Sequence, residues 1–358
     1  MVLRSMREVH RPTPDLTGDA ALFARGIPKL PASEPPARAW THASLGGAKL
    51  FHDLRKDALA EIERCLQFAR CNGLTVDTVE QEDFRVPSFA TGVRPIQEQL
   101  DQGSGLAILR GLDPSSFSEP DAEIIAWGLC NYLGRPMRQG INTDRRLFTV
   151  ADKGAANTDP TRIGASARRS AKHSDNGCLE PRPPCYIGLL CYGAAGEGGE
   201  STVISARTIF DTIVRERPDL LPIYFDRYHF RAPQLHVWPS RGPTIQKPIL
   251  EFSHGELRIH YARVMIEPGM EMAGTPLNAL QREALDVLDE IIERPDLCFR
   301  HRLQPGEVLV INNLAMLHGR EAFSPGAHEG RILKRIWMWR RHVGAGVDPV
   351  ALDLEELA

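Results

Sequence analysis

Short apolar runs, each bounded by turn residues, recur along the chain from residue 105 to residue 339. Runs of this length and punctuation are typical of buried β-strands. The predicted strands cover residues 105–111, 147–150, 186–192, 202–205, 248–252, 257–261, 307–313 and 332–339. Many short strands separated by turns favour a sandwich or a barrel.

Other segments carry apolar residues at helical spacing. These predicted helices cover residues 57–70, 96–100, 121–133, 205–221 and 275–296, and the last opens with Thr275 as N-cap and Pro276 at the first helical position. Residues 1–50 are rich in Pro, Ala and Gly and predict an irregular arm over the surface. We therefore expect an N-terminal arm with helices over 1–104 and a β-rich core over 105–345, with helical insertions near 205–221 and 275–296, as one unit.

Composition narrows the class of protein. With 42% hydrophobic residues the chain can bury a large core, and its net charge of -3, with both signs interspersed, argues against a nucleic-acid groove or a basic membrane patch. The first residues carry charges and prolines, and the chain has no run of 18 apolar residues, so we expect a cytoplasmic protein without a membrane or nucleic-acid partner. The sequence does not reveal the oligomeric state.

The seven cysteines indicate reduced thiols. Their number is odd and several lie inside apolar runs, which disfavours a disulfide framework. Cys178, Cys185 and Cys191 form no C-x-x-C pair, so a structural zinc site is not predicted.

A histidine and a carboxylate stand two residues apart at His173 and Asp175. In an extended segment, residues at this spacing point to the same face and can reach one ion. Two histidines and one carboxylate leave coordination positions open for a bidentate cosubstrate and oxygen, as a non-haem iron(II) oxygenase requires. A second pair with the same spacing, His254 and Glu256, lies between two predicted strands with a glycine in the middle, which predicts an exposed hairpin turn.

The C-terminal stretch offers a third ligand. His318 follows the predicted strand 307–313, and Arg331 stands 13 residues later at the start of the next predicted strand. A hairpin of that length would bring the guanidinium back beside the metal. Arginine suits a carboxylate ligand because its planar, permanently charged fork binds both oxygens.

Together these segments resemble the taurine dioxygenase and clavaminate synthase-like branch of iron(II)/2-oxoglutarate oxygenases, over about residues 100–342. In that family an H-x-[DE] pair, a distal His in an N-x-x-x-x-H-x-R-x-x-F segment and a later Arg form the iron and cosubstrate site. The matching residues here are His173, Asp175, His318 and Arg331. The resemblance implies a double-stranded β-helix (jelly roll) core with buttressing helices, α+β overall, with Fe(II), 2-oxoglutarate and O2 as cofactor and cosubstrates.

The family also implies residues for the cosubstrate and the substrate. A G-G-[DE]-[ST] turn supplies a cosubstrate hydroxyl in relatives, and Gly198-Gly199-Glu200-Ser201 matches it, with Thr202 adjacent and either hydroxyl able to serve. Arg335 matches a second Arg that meets an acidic group of the substrate. Other positions that border the expected substrate pocket are Tyr261, Arg263, Gln139 and Asn142, and the polar segment 152–172 predicts a lid over it.

The implied activity is hydroxylation of a C–H bond in a small carboxylate or amino-acid-derived substrate, with release of succinate and carbon dioxide. Desaturation or ring closure on the same iron site is an alternative outcome. Two other classes stay open at this level: a jelly-roll metal protein with different chemistry, such as a cupin-like isomerase or a cosubstrate-free dioxygenase, and a non-catalytic small-molecule binder. Arg331 and the Gly-Gly-Glu-Ser turn argue against the first, and the complete ligand set argues against the second.

Overall fold

The computed structural model describes residues 29–46, 49–139, 145–152, 166–177, 183–232, 242–324 and 330–341. Its α-helices are α1 (His42–Leu45), α2 (Lys56–Cys71), α3 (Pro87–Ala90), α4 (Val93–Asp101), α5 (Glu119–Leu133), α6 (Ala206–Glu216), α7 (Arg263–Met272) and α8 (Ala279–Glu293). The strands are β1 (Phe51–Asp53), β2 (Leu106–Arg110), β3 (Gly134–Pro136), β4 (Phe148–Ala151), β5 (Ser170–His173), β6 (Tyr186–Gly193), β7 (Glu197–Gly198), β8 (Ser201–Ser205), β9 (Arg227–Arg231), β10 (Thr244–Pro248), β11 (Leu250–Ser253), β12 (Glu256–Ile259), β13 (Phe299–His301), β14 (Val308–Asn312), β15 (Met316–Arg320), β16 (Phe323–Ser324) and β17 (Ile332–Arg340). Among the described residues, no helix combines the length and apolar character needed to cross a membrane.

Two sheets carry the architecture, and the chain is α+β. The larger sheet orders its strands β1-β2-β14-β6-β17-β3, with β4 also paired to β17, and the smaller sheet orders them β13-β8-β15-β5. The β1–β2 pair is parallel, whereas the other pairs in these two sheets are antiparallel. Since β1 joins the larger sheet through β2, the first third of the chain contributes to the same sheet as the strands that follow.

Three buried clusters separate the layers. The first packs α2 to α5 against the outer face of the larger sheet. The second lies between the two sheets and includes Leu309 of β14 and Val203 of β8. The third packs α6 to α8 against the outer face of the smaller sheet, where Ile204 and Leu317 contribute. Neighbouring residues of β8 therefore alternate between the space inside the two sheets and the helical layer outside.

Strand β17 shows the same alternation. Leu333 and Trp337 belong to the cluster between the sheets, whereas Met338 packs in the cluster with the helices. Lys334, 1% exposed, points to the helical side and donates to Thr149 and to two glutamates of α5. Arg335 consequently shares the inner face with Leu333 and Trp337.

Most predicted elements are present, with shifted ends. The helix predicted over 275–296 begins at Ala279, so the predicted cap at Thr275 is wrong. Asn278 is the N-cap instead, because it and Gln281 satisfy each other's free backbone N–H groups in a capping box. The helix predicted over 205–221 ends at Glu216. The hairpin turn predicted at His254 is confirmed between β11 and β12, with His254 and Gly255 both at positive φ.

The route from β14 to β17 differs from the prediction. His318 was expected just past a buried strand, but it lies in the middle of β15, which belongs to the smaller sheet. Strand β14 ends at Asn312, whose side-chain oxygen accepts the backbone N–H of Leu314 in the turn that leads to β15. Strand β17 returns to the larger sheet, so the predicted hairpin between His318 and Arg331 is wrong.

The N-terminal segment is more deeply packed than a surface arm. Arg38 is fully buried, and Trp40, 3% exposed, donates through its indole to the carbonyl of Ser104. Residues 1–28 of the predicted arm lie outside the described residues. The six cysteines in the described ranges are free thiols, as predicted, and Cys178 lies outside those ranges.

Candidate metal centre

Two histidines face each other across neighbouring strands of the smaller sheet. His173 closes β5 and His318 sits on β15, where the two residues are direct cross-strand partners with ring centroids 4.7 Å apart. Asp175 follows His173 by two residues. Ligand atoms of these three side chains all lie within 4.8 Å of one another. The structure thus brings together the three residues that the sequence predicts as one metal site.

One nitrogen of each imidazole lies close to the carboxylate of Asp175. Nδ1 of His173 lies 2.8 Å from the carbonyl of Ala171 and donates to it, which leaves Nε2 facing Oδ1 of Asp175 at 3.2 Å. Nε2 of His318 lies 3.9 Å from the same oxygen. Burial lowers the pKa of His318 to about 3, against the attraction of Asp175, so this ring is neutral. Burial also opposes protonation of His173, but its hydrogen bond and charge contact with Asp175 outweigh that effect and raise its pKa.

Asp175 is fixed from several directions. Its backbone N–H donates to Oδ1 of Asn313 at 2.8 Å, and the amide of Asn313 donates back to the Asp175 carbonyl at 2.9 Å. Its Oδ2 accepts from Arg335 at 2.9 Å and from the indole of Trp337 at 2.8 Å. Burial would raise the pKa of Asp175, but the charge of Arg335 and the facing imidazoles hold it well below its usual range. The side chain is therefore a carboxylate.

The two imidazoles and the carboxylate fit a divalent transition metal. Metal bonds of about 2.0–2.2 Å place neighbouring ligand atoms roughly 3 Å apart, close to the separations of Oδ1 from the two imidazoles. Two imidazoles and one carboxylate suit iron(II) with open positions better than a closed tetrahedral site. In addition, Nδ1 of His318 is buried and makes no hydrogen bond within the described residues. The ring is thus not held by a competing partner.

Arg331 is a buried arginine close to the turn that contains Gly198 and Gly199. Arg331, 5% exposed, immediately precedes β17 and has no carboxylate partner among the described residues. Its guanidinium lies 5.9 Å from the ring centroid of Phe323, and its Cδ lies 3.0 Å from where a Cβ would stand on Gly199. Burial and the neighbouring Arg320 lower its pKa to about 10. A buried guanidinium without a counter-ion is a binding site for an anion.

Arg320 is a second buried arginine beside Phe323. It is 6% exposed and its guanidinium lies 4.8 Å from the same Phe323 ring centroid. One of its nitrogens donates to the carbonyls of Ser166 and Arg168, whereas its Nε has no hydrogen-bond partner in the part of the chain that the structure describes.

The register of β8 separates the two candidate hydroxyls. Ser201 pairs with Arg320 and Thr202 pairs with Gly319. Since Val203 packs between the sheets and Ile204 packs outside them, alternation places Ser201 on the inner face and Thr202 on the outer face.

The predicted substrate residues are placed at two different locations. Gln139 is buried and donates to the carbonyl of Arg335, so both residues lie on the β17 side of the metal centre. Tyr261 donates to Asp289 of α8 inside the outer cluster, and Arg263 donates to Asp289 and is paired with other carboxylates of α7 and α8. Those contacts engage both side chains outside the metal centre. Asn142 and residues 153–165 of the predicted lid lie outside the described residues.

Three contributors were missed by sequence reasoning: Trp337, Asn313 and Arg320. Alternation along the predicted strand 332–339 already places Trp337 on the face of Arg335, and this signal could have found it. Asn313 and Arg320 stand inside the motif that located His318, but the contact of Asn313 with Asp175 joins residues 138 positions apart. No local pattern encodes that contact.

Known proteins resemble this chain over most of its length. The family described as "Taurine catabolism dioxygenase TauD, TfdA family" matches residues 72–337. The FR-33289 synthase of Streptomyces rubellomurinus (strain ATCC 31215) is 27% identical over 311 residues, which cover 84% of this chain and 86% of that protein. The taurine hydroxylase-like protein SAT17 of Stachybotrys chartarum (strain CBS 109288 / IBT 7711) is 26% identical over 327 residues, with 85% and 79% covered.

Solved structures share the fold. A structure of asparagine oxygenase with Fe(II), 2S,3S-3-hydroxyasparagine and succinate superposes with a TM-score of 0.64 at 18% identity, covering 81% of this chain and 93% of that chain. The non-heme iron oxygenase OrfP with Fe and alpha-ketoglutaric acid gives a TM-score of 0.60 at 13% identity, covering 82% and 95%. At these identities the likeness establishes the fold alone.

Proposed function

The chain belongs to the taurine catabolism dioxygenase TauD/TfdA family and is an iron(II)- and 2-oxoglutarate-dependent oxygenase; we propose that His173, Asp175 and His318 hold its iron and that it hydroxylates a small amino-acid-like carboxylate. The observation that carries this proposal is the convergence of two imidazoles and one buried carboxylate within 4.8 Å. The buried Arg331 supports the cosubstrate part of it.

The core that holds this site is, we propose, a double-stranded β-helix. In support, the larger and smaller sheets face each other across a shared apolar cluster, and β14 and β15 are consecutive strands that lie in different sheets. Such a crossing between two antiparallel sheets is typical of a jelly roll. The two histidines then come from the smaller sheet, and Arg335 and Trp337, which donate to Oδ2 of Asp175, come from the larger one.

Arg331 would bind the carboxylate of 2-oxoglutarate that is remote from the metal. Its planar fork matches both carboxylate oxygens, and the low polarity of its surroundings strengthens the pairing. Ser201, on the inner face opposite Arg320, would supply the hydroxyl. Arg320 adds a second positive charge beside Phe323. These groups select a cosubstrate with a second carboxylate.

Iron(II), with 2-oxoglutarate and oxygen, supplies the oxidant that converts a substrate C–H bond to C–OH, with release of succinate and carbon dioxide. The residues of the chain supply position. His173, Asp175 and His318 would hold the metal through three ligand atoms, which leaves its further coordination positions to the keto acid and oxygen. The apolar residues between the sheets, such as Leu189 and Trp337, exclude water from the reacting atoms.

The substrate would meet Arg335 on the inner face of β17. One guanidinium nitrogen of Arg335 binds Asp175, while its Nε is buried with no hydrogen-bond partner among the residues that the structure describes. The remaining N–H groups can therefore bind a substrate carboxylate close to the metal. Two structural neighbours are complexed with hydroxylated amino acids, which supports an amino-acid-like substrate here.

The test is anaerobic reconstitution of the full chain with iron(II) and 2-oxoglutarate. We expect the weak visible charge-transfer absorption of the 2-oxoglutarate chelate, and succinate formation when oxygen and a panel of amino acids and small carboxylates are added. If iron is bound but the band never develops, the cosubstrate assignment fails.

Replacing Ser201 with alanine is expected to raise the KM for 2-oxoglutarate about 10- to 100-fold, since one hydrogen bond to a charged oxygen contributes about 1.5–3 kcal/mol. Thr202→Val removes the neighbouring hydroxyl on the outer face and is the matched control. Steady-state succinate formation measures both. A larger effect of the Thr202 variant would show that Thr202, and not Ser201, supplies the hydroxyl to 2-oxoglutarate.

A further inference from the structure

We infer that Trp337 and Arg335 act as positioning residues that restrict Asp175 to a single-oxygen ligand of the metal. This inference rests on the proposed function, because it concerns how the chain prepares the proposed iron site. The inference gives Arg335 a second role besides the proposed contact with substrate. It also gives Trp337 a role beyond packing in the apolar cluster between the sheets.

The two oxygens of Asp175 have different surroundings. Oδ1 faces the histidines, 3.2 Å from Nε2 of His173 and 3.9 Å from Nε2 of His318. Oδ2 points the other way and accepts two N–H groups, from Arg335 at 2.9 Å and Trp337 at 2.8 Å. A carboxylate oxygen with two short donors has little capacity left for a cation. Only Oδ1 is therefore available to the metal.

Both donors are held rigidly. Trp337 is 4% exposed and packs between the sheets. Its indole can only donate, so the carboxylate oxygen Oδ2 is a natural partner for its single polar atom. The guanidinium of Arg335 lies 4.5 Å from the Trp337 ring centroid and 4.9 Å from that of Phe148. Neither donor can leave Oδ2 without disturbing packed aromatic rings.

The coordination chemistry of the proposed site explains why Asp175 should bind through one oxygen. An iron site that takes a bidentate keto acid and then oxygen needs three positions free of protein ligands. If both oxygens of Asp175 bound the metal, one of those positions would be closed. By occupying Oδ2, Trp337 and Arg335 keep that position open for the cosubstrate. Partners of ligating side chains commonly control geometry in this way, and their loss costs about 10- to 100-fold in metal affinity or activity.

Trp337→Phe isolates the effect, because phenylalanine keeps an aromatic ring and removes only the N–H donor and part of the ring system. Trp339→Phe is the matched control, two residues further along the same strand and face. We expect the Trp337 variant to bind 2-oxoglutarate about tenfold more weakly in the iron(II) chelate titration, the lower end of the range above, since Arg335 still holds Oδ2. The Trp339 variant should match wild type.

Cobalt(II) in place of iron(II) gives a readout independent of turnover. Its visible absorption depends on the identity and geometry of the ligands, so Trp337→Phe, in which the second oxygen of Asp175 can replace a solvent ligand, should show a cobalt spectrum different from those of wild type and Trp339→Phe. Equal spectra and equal 2-oxoglutarate affinities in a folded Trp337 variant would overturn the inference. Should circular dichroism show that this variant is unfolded, Arg335→Lys is used instead, with the same expected direction and the same criterion.

The experiment distinguishes failure of the proposed function from failure of the positioning role. A wild-type protein that takes up neither iron(II) nor cobalt(II) removes the proposed function itself. A wild-type protein that binds metal and 2-oxoglutarate, with a Trp337 variant that behaves identically, removes only the positioning role.

Discussion

Replacing His318 with alanine is expected to abolish iron binding and, with it, succinate formation. In the proposed site His318 supplies one of three ligand atoms, and its Nδ1 makes no hydrogen bond within the described residues, so the substitution removes the proposed ligand without breaking a hydrogen bond at Nδ1. The loss should exceed the roughly 100-fold that removal of an outer partner of a metal ligand costs. Bound iron after anaerobic loading and gel filtration, measured by mass spectrometry, reports the effect directly.

His254→Ala is the matched control for this experiment. His254 belongs to the other histidine–acid pair of the same spacing, but it lies in the two-residue turn between β11 and β12, and Glu256 of that pair is bound to Arg340. This variant should load iron as wild type does. If the His318 variant retained stoichiometric iron, or if the His254 variant lost it, the ligand set proposed above would be wrong.

Replacing Arg331 with alanine is expected to weaken 2-oxoglutarate binding about 100-fold or more. Two hydrogen bonds between a guanidinium and a carboxylate contribute about 1.5–3 kcal/mol each, and each 1.4 kcal/mol corresponds to about a tenfold change in Kd. The effect is confined to the cosubstrate, because Arg331 has no carboxylate partner among the described residues. The Kd from the chelate absorption and the KM from succinate formation should rise together, while iron loading stays at the wild-type level.

Selectivity among keto acids sharpens this test. 2-Oxobutyrate chelates a metal in the same way but lacks the second carboxylate, so the Arg331 variant should lose most of the wild-type preference for 2-oxoglutarate over it. Arg300→Ala removes an arginine whose partner, Glu321, lies at the surface with it, and serves as the control. A variant of Arg331 that kept the wild-type preference would place the remote carboxylate elsewhere.

The clustering of the three candidate metal ligands could be predicted from the sequence because the patterns that indicate them are local. The spacing of His173 and Asp175 requires only that an extended segment places alternate side chains on one face, and β5 supplies such a segment up to His173. His318 was found from the motif around it. Its strand was misplaced because the turn at Asn312 moves the chain from one sheet to the other, and sheet membership depends on pairing with distant strands.

Contacts between segments that are far apart in the chain could not be predicted from the sequence. The bond from Trp337 to Asp175 joins residues 162 positions apart. Whether Ser201 or Thr202 faces inward depends on the register of β8 against β15, and shifting that register by one residue would exchange them. Tyr261 and Arg263 follow a predicted strand, but α7 begins at Arg263 and directs both side chains toward α8. For these two residues a substrate role stays a prediction.

The connection between β8 and β13 has a consequence for which changes the candidate metal centre tolerates. These two strands are immediate neighbours in the smaller sheet, with Val203 paired to Phe299. The chain between them, including α6 to α8 and two hairpins, packs in an apolar cluster against the outer face of that sheet, where it covers Ile204 and Leu317. It also reaches the metal centre, because the backbone of Tyr261 exchanges hydrogen bonds with Ser174, the residue between His173 and Asp175. We therefore expect changes in this segment to leave the candidate ligands undisturbed when they lie far from Tyr261, and to shift Asp175 relative to the two histidines when they lie next to it.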